Sequence, residues 1–266
     1  MKPEHVQSLY GPGYAAGYNT AFIDDPLFKG KTDAEVLILS TLLNTGSSLT
    51  GSARWLDLAC GTGYFLSKFP ETERTGVDLS DAMLCKARGI NPCIPLIQGD
   101  LRNRKLFGRG SWDVISSMWW AYSYLDTIRQ IKKFIRNVSF WLTQEGYFFL
   151  PIASLGNFGC GVKGYPKQDY PYPLFSSLPV LGGELSITAI HWSWKEASGS
   201  VHEHLLAPHP ELMRSIALEY FKTVDIIRYH EYGYIGLICS NSASKLSAMR
   251  ELFPDVAPYR PITPEV

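Results

Sequence analysis

A chain of 266 residues with 45% hydrophobic side chains carries enough apolar material to bury one large core, and its length permits one or two domains. Its 25 basic and 25 acidic residues cancel to a formal net charge of zero, with no block of five like charges. That balance argues against nucleic acid or an anionic membrane as partner and favours a small, roughly neutral substrate. The chain opens with a Tyr- and Gly-rich segment in which Tyr10, Tyr14 and Tyr18 recur; Tyr14 and Tyr18, four apart, share one face of a helix. Phe22 to Phe28 reads as a turn-like link. Thr32 to Leu43 is predicted as a helix, with Thr32 as N-cap, Glu35 completing a capping box, and apolar positions at 36, 39, 42 and 43. Residues 44–54 form a Gly/Ser/Thr-rich loop into a short apolar strand, Trp55 to Ala59. That strand ends on Cys60, Gly61, Thr62 and Gly63 before Tyr64 to Lys68, which can become helical. Gly61 and Gly63 allow positive φ and let a ligand lie against the backbone, next to the free N–H groups of a helix start. Leu66 stands where the pyrophosphate fingerprint needs its third glycine, so a dinucleotide is not the expected ligand.

The run Leu56-Asp57-Leu-Ala-Cys-Gly61-Thr-Gly63 resembles the first motif of class I S-adenosylmethionine-dependent methyltransferases, in particular those acting on small natural products. Two further motifs follow in register. Thr75-Gly-Val-Asp78-Leu79-Ser80 reads as a second strand ending in an acid, 21 residues after Asp57, where a carboxylate can accept hydrogen bonds from both ribose hydroxyls. Gln98-Gly99-Asp100-Leu101 closes a third strand with an acid and an apolar neighbour, suited to an adenine amino group and ring face. The resemblance implies S-adenosyl-L-methionine as cofactor, with S-adenosyl-L-homocysteine as product. It implies that Asp57, next to Ala59, braces the Gly loop and approaches the methionine end, and that Met83 packs on the adenine. It also implies an N-terminal segment folded over the cofactor, with Tyr10, Tyr14 or Tyr18 lining the chamber.

Ser80 caps a helix from Asp81 to Gly89. Ser111 to Ser117 is a fourth strand whose carboxyl end delivers Met118, Trp119, Trp120, Tyr122 and Tyr124, the place where open α/β sheets hold ligands. If the chain stays extended there, Trp119 and Trp120 point to opposite sides; Met118 and Trp119 are assigned to the cofactor, and Trp120, Tyr122 and Tyr124 to the substrate pocket. Asp126 to Thr143 is an amphipathic helix and Gly146 to Ile152 a buried fifth strand. Residues 153–184, rich in Gly, Pro and Tyr, are expected to form a cap, supported by an antiparallel hairpin of Glu184 to Trp194 and Val201 to Leu205. Pro208 to Tyr220 is a helix, and Thr223 to Ile227 with Tyr234 to Cys239 supply a reversed strand pair that ends the sheet. His202 and His204 share a strand face as a candidate metal pair, but no third ligand lies at a telling spacing and a solvated pair is the expectation, so no metal is predicted. His191, His209 and His230 are candidate general bases; His191, beside Trp192 and Trp194, is preferred, although orienting the nucleophile already supplies much of the acceleration and a base is not required.

The fold expected is α/β: a Rossmann-like class I methyltransferase fold with a seven-stranded, mostly parallel sheet between helices and an antiparallel cap insertion. One domain spans 1–266, with an N-terminal helical cap (1–45), a cofactor-binding core (54–152), the cap insertion (153–205), the end of the core (206–241) and a C-terminal tail (242–266). The five cysteines, Cys60, Cys85, Cys93, Cys160 and Cys239, are odd in number and lack C-x-x-C spacing, so free thiols are expected. With no basic and apolar leader and no run of roughly 18 apolar residues, a cytoplasmic monomer or homodimer free of membrane and nucleic acid is expected. The function expected is N- or O-methylation of a small, largely apolar or aromatic metabolite in natural-product tailoring. An RNA or protein methyltransferase of the same fold and a non-catalytic cofactor-binding pseudoenzyme are the alternatives; against the first, no basic stripe occurs and Met118-Trp119-Trp120 replaces an Asn-Pro-Pro-Tyr type motif.

Overall fold

A computed structural model describes residues 2–46, 51–153, 189–195, 199–230, 233–244, 252 and 257–258, with only the backbone described for 190–195 and 257–258. The cap expected at 153–184 therefore lies outside the described residues from 154 onward, as do the tail beyond 244, apart from 252 and 257–258, and Cys160. The chain begins with helices α1 (Pro3–Leu9) and α2 (Pro12–Tyr18), a π-helical turn Asn19–Ile23, and α3 (Pro26–Gly46). It continues through β1 (Arg54–Leu58), α4 (Tyr64–Ser67), β2 (Glu73–Asp78), α5 (Asp81–Ile90), β3 (Leu96–Gln98), β4 (Trp112–Ser116), α6 (Ile128–Trp141) and β5 (Leu142–Ile152). The hairpin β6 (Ala189–Lys195) and β7 (Val201–Pro208) precedes α7 (Pro210–Leu218), β8 (Thr223–Arg228), β9 (Ile235–Ser240) and a two-residue β10 (Ala257–Pro258).

Strands pack in the order β10-β8-β9-β5-β4-β1-β2-β3, so the expected seven strands gain a short eighth at one edge. Pairs from β3 through β5 are parallel, and β9 runs antiparallel to both neighbours, β5 and β8. The expected antiparallel pair that ends the sheet is β8 with β9, and the short β10 also runs antiparallel to β8. β1 sits between β2 and β4, which the chain reaches in opposite directions, so the sheet reverses order at β1/β4 and opens a crevice at its carboxyl edge. One face of the sheet packs Phe134, Ile135, Val138 and Trp141 of α6 with Met213 and Ile216 of α7. The other packs Leu39, Leu42 and Leu43 of α3 with Phe65, Leu66 and Leu84. With both faces covered, β1 and β4 are buried almost throughout, which fits apolar residues on both of their faces.

Two N-terminal expectations are corrected. Residues 22–28 are not a turn-like link: the π turn occupies 19–23 and α3 begins at Pro26, where Asp25 Oδ1 accepts the Leu27 N–H at 2.9 Å. Pro and Asp here are ordinary helix-start residues. Thr32 is consequently interior to the helix, its hydroxyl donating to the Phe28 carbonyl at 3.0 Å. Glu35 makes no capping box; it is fully buried and paired with Lys31. Further along, Ser80 caps α5 by accepting the Met83 N–H at 3.2 Å, as expected.

Candidate functional site

At the carboxyl edge of β1 to β4 lies a cleft that is partly open to solvent. The turn after β1 builds its floor. Gly61 and Gly63 adopt φ of +56° and +74°, as does Ala59 at 55°, a conformation that costs a non-Gly residue energy and persists only where the surroundings impose it. Asp78, at the end of β2, accepts the Gly61 N–H on Oδ2 and the Ser80 N–H on Oδ1, both at 2.8 Å. Burial raises its pKa, and these backbone donors oppose the shift.

Asp57 is a strongly perturbed carboxyl group. Ser116, its lateral partner on β4, donates its hydroxyl to Asp57 Oδ1 at 2.6 Å and is held in turn by the Trp55 indole N–H at 2.9 Å. Oδ2 is buried with no hydrogen-bond partner among the described residues, and Asp57 lines a smaller recess beside the Gly turn with Tyr18, Thr62 and Met118. Burial, opposed by Ser116 and reinforced by Asp78, pushes its carboxyl up to about 7. Asp100 behaves oppositely. Burial alone would raise it, but Arg102, bonded through Nε and Nη2 at 2.6–3.0 Å, holds it below the carboxylate range.

Of the residues singled out from the sequence, Ala59, Gly61, Asp78, Leu79, Met83, Gly99, Asp100, Leu101, Met118, Trp119, Tyr18, Tyr10 and Tyr124 line the cleft, and Asp57 the recess. Others do not. Gly63 packs against α5, where a Cβ would meet Asn91 at 2.7 Å and Ala87 at 3.0 Å. Tyr14 lies against His202, ring centroids 4.8 Å apart and planes tilted by 32°, behind Tyr10. Tyr122 is not at the mouth: it is fully buried in the core, its hydroxyl accepting the Ala153 N–H at 2.9 Å. The premise of an extended chain at Trp119 and Trp120 also fails, since both are left-handed, at φ 55° and 59°. The chain coils there, so Trp119 faces the cleft while Trp120 turns toward Tyr234, 6.2 Å away. His202 and His204, expected to be solvated, are 0% and 7% exposed; among the described residues no group of three metal-binding side chains occurs. The side chain of His191 lies outside the described ones.

Several site residues gave no clear signal in the sequence. Arg102 lines the cleft and also donates to Gln130 at 2.9 Å. Lys31, 1% exposed, pairs with Glu35 at 2.6 Å and lies 4.2 Å over the Trp119 ring, while Tyr229 donates its hydroxyl to Glu35 at 2.7 Å. Burial lowers the Lys31 pKa and Glu35 opposes that shift. The i,i+4 spacing of Lys31 and Glu35 was readable, but not its burial. The N-terminal segment closes the cleft: Gln7 donates to the Leu79 carbonyl at 3.2 Å, Ser80 to the Tyr10 carbonyl at 2.6 Å, and Thr62 to Asn19 Oδ1 at 2.6 Å.

This donor set fits S-adenosylmethionine. The unpartnered Asp57 oxygen suits an ammonium, the Gly turn a closely approaching chain, Asp78 a diol, and Leu101 with Met83 a flat ring. A model of a methyltransferase domain matches residues 56–146. The chain is 34% identical over 203 residues to the dTDP-4-amino-2,3,4,6-tetradeoxy-D-glucose N,N-dimethyltransferase of Saccharopolyspora spinosa, spanning 73% of this chain and 77% of that protein. Among solved structures, the PH0226 protein from Pyrococcus horikoshii OT3 superposes with a TM-score of 0.61 at 18% identity, over 86% of this chain and 98% of that one. The amino pentose methyltransferase CalS10 from Micromonospora echinaspora, solved with S-adenosylmethionine bound, gives 0.55 at 18% identity, over 82% and 96%. The last two likenesses concern the fold.

Proposed function

Because the chain belongs to the class I S-adenosylmethionine-dependent methyltransferases, we propose that it transfers the methyl group to an amine nitrogen on a small, sugar-like molecule in natural-product tailoring. The observation that carries the amine is the cleft lining. Tyr10, Tyr18 and Tyr124 stand there with Trp119, and Arg102, bound to Asp100, is the one cation among the lining residues described. Aromatic faces attract cationic nitrogen, whereas a carboxylate or phosphate at the point of methyl transfer would find no uncommitted cation in that lining. The relatives support the same reading, since they are methyltransferases of amino sugars. In this reading the N- or O-methylation of a small, largely apolar or aromatic metabolite expected from the sequence becomes N-methylation of an amino sugar.

In this reading Ala59, Gly61 and Gly63 shape the loop around the cofactor, Asp78 holds its ribose, and Met83, Gly99, Asp100 and Leu101 hold its adenine. Leu79 lies beside the ribose acid, Asp57 meets the ammonium, and Met118 and Trp119 flank the sulfur end. When bound, the cofactor supplies an electrophilic methyl carbon on a sulfonium. The protein's part is to bind the acceptor, strip water from it and align its nitrogen, which accounts for much of the acceleration in such reactions. The whole chain, 1–266, is read as one domain serving this site. Mass spectrometry after incubation with S-adenosylmethionine and a panel of amino sugars, including dTDP-4-amino-2,3,4,6-tetradeoxy-D-glucose, together with neutral sugars and phenols, tests it. Methylation of amines alone is expected; products only from the hydroxyl compounds would overturn the reading.

A further inference from the structure

We propose that His204, acting through Tyr124 and Tyr10, draws a proton from the acceptor amine, so that the nitrogen meets the methyl carbon with its lone pair free. The proposal rests on the amine reading above. It starts from a row of hydrogen bonds whose direction follows once His204 is neutral. Ser123, on the 3-10 turn Ala121–Tyr124 after β4, has one hydroxyl proton and two close neighbours. Its oxygen lies 2.6 Å from the Trp120 carbonyl and 2.7 Å from His204 Nδ1. Both contacts are too short to lack a proton, and the carbonyl has none to give. The serine proton therefore goes to Trp120, and Nδ1 must carry the proton of the second bond.

Neutral His204 is then bare at Nε2, which stands 3.3 Å from the Tyr124 hydroxyl. Tyr124 donates to it. The Tyr124 oxygen lies 2.7 Å from the Tyr10 hydroxyl, and with its own proton committed it accepts from Tyr10. Every proton in the row points from the cleft toward the imidazole. Tyr10 and Tyr124 both line the cleft, and the row ends there in a lone pair on the Tyr10 oxygen, which accepts a donor such as a protonated amine.

The proton balance is simple. The ammonium gives one proton to the Tyr10 oxygen, the Tyr10 proton passes to Tyr124, and the Tyr124 proton passes to Nε2, leaving an imidazolium and a neutral amine with its electron pair intact. Neither phenol has to persist as a phenolate. That matters because burial, with Tyr124, Tyr18 and Asp78 nearby, raises the Tyr10 pKa well above its usual value, so Tyr10 keeps its own proton at neutral pH and could not serve as the base by forming a phenolate. After the product leaves, the proton returns along the same row. The groups around the row are Ser123 and Tyr124 from the 3-10 turn, His202 from β7, which meets the Tyr10 ring edge-on at 5.6 Å, and Tyr14, Tyr18 and Asp78 beside Tyr10. Tyr10 is the group that touches the acceptor, and His204 is a positioning residue that sets the direction of the row.

The test has two readouts. Nitrogen-15 NMR of histidine-labelled wild-type protein, assigned by loss of one signal in His204→Gln, is expected to show neutral His204 protonated at Nδ1, and Tyr124→Phe is expected to raise its titration midpoint because the bare nitrogen loses a donor. With the dTDP-linked amino sugar of the acceptor panel as probe, kcat/KM of His204→Gln is expected to fall about 100-fold or more at neutral pH, the scale of general-base assistance. It should recover as the pH approaches the amine's own pKa. Tyr124→Phe, which changes no volume in the core, is expected to share that profile should the glutamine variant fold poorly. A neutral ring protonated at Nε2, or a loss of equal size at every pH in both variants, would overturn the relay. Wild-type protein with the expected tautomer that methylates no amine would instead count against the amine reading, so the two failures are distinguishable.

Discussion

Asp57→Asn should make the protein without cofactor more stable and the cofactor weaker in binding. Asp57 sits buried beside Asp78 with one oxygen unpartnered, and its carboxyl is raised from 3.8 to about 7. At roughly 1.4 kcal/mol per pH unit, that gap represents about 4 kcal/mol held against the charged form. Because the folded pKa lies above the unfolded one, the folded protein binds this proton more tightly. The penalty is absent below about pH 4, grows between about 4 and 7, and is complete above 7. Asparagine keeps the shape and can still accept from Ser116, so the variant should gain up to about 4 kcal/mol at pH 8 and nothing near pH 4. In a chain of this size that is on the order of 10 °C in melting temperature. Binding should move the other way. An ammonium pairs with the carboxylate only after the proton has left, so wild-type affinity should drop tenfold per pH unit below 7, and the variant should bind at least tenfold more weakly at pH 8 with no such slope, a charge-assisted bond being worth about 1.5–3 kcal/mol. Thermal melts and S-adenosylmethionine calorimetry between about pH 5 and 9 measure both. A variant that melts no higher than wild type at pH 8, or that retains the acid slope of affinity, refutes the reasoning.

Three other outcomes are expected. Asp78→Ala removes the carboxylate that orients the Gly61 and Ser80 N–H groups, and calorimetry should show S-adenosylmethionine binding at least tenfold weaker; unchanged affinity in a folded variant would remove Asp78 from the site. Glu35→Ala strands the buried Lys31 ammonium, so urea unfolding should show a loss of about 3–5 kcal/mol at pH 7 that narrows as rising pH neutralises Lys31, while the triple change Lys31→Met, Glu35→Leu, Tyr229→Phe should restore most of it. Tyr122→Phe removes the acceptor of the Ala153 N–H and should cost about 1–3 kcal/mol of stability with no effect on cofactor affinity; a changed affinity would put Tyr122 back at the mouth.

The parts of the site that sequence makes legible are those whose chemistry is local. Gly61, Asp78 and Asp100 each follow directly on a strand end, and glycine or acid at that spacing has few other uses, so motif and geometry coincide. Thr32 and Glu35 mislead for a related reason. Their spacing satisfies a capping box, yet Pro26 and Asp25 had already started the helix one and a half turns earlier, and local spacing cannot tell a cap from an interior pair. Tyr122 and His204 depend on distant chain: one is buried against Ala153, the other reaches the 3-10 turn across 81 residues. No pattern along the sequence encodes either contact.

The left-handed backbone at Ala59, Trp119 and Trp120 follows the same logic from the opposite side. These are the only non-Gly residues with positive φ among those described, and all three lie just past the carboxyl ends of β1 and β4, at the point where strand order reverses. Had Trp119 and Trp120 stayed extended, their rings would have alternated across the strand. Coiled, they let Trp119 stand between the cleft and Lys31 while the Trp120 carbonyl receives the Ser123 proton. That bond is what obliges His204 to present its bare nitrogen to Tyr124. A glycine at 120 would relieve the strain but free the carbonyl to turn, and with it the tautomer. The strained backbone and the direction of the proton row are therefore one structural feature, and the residues at which propensity predicts the wrong conformation are those that aim the site.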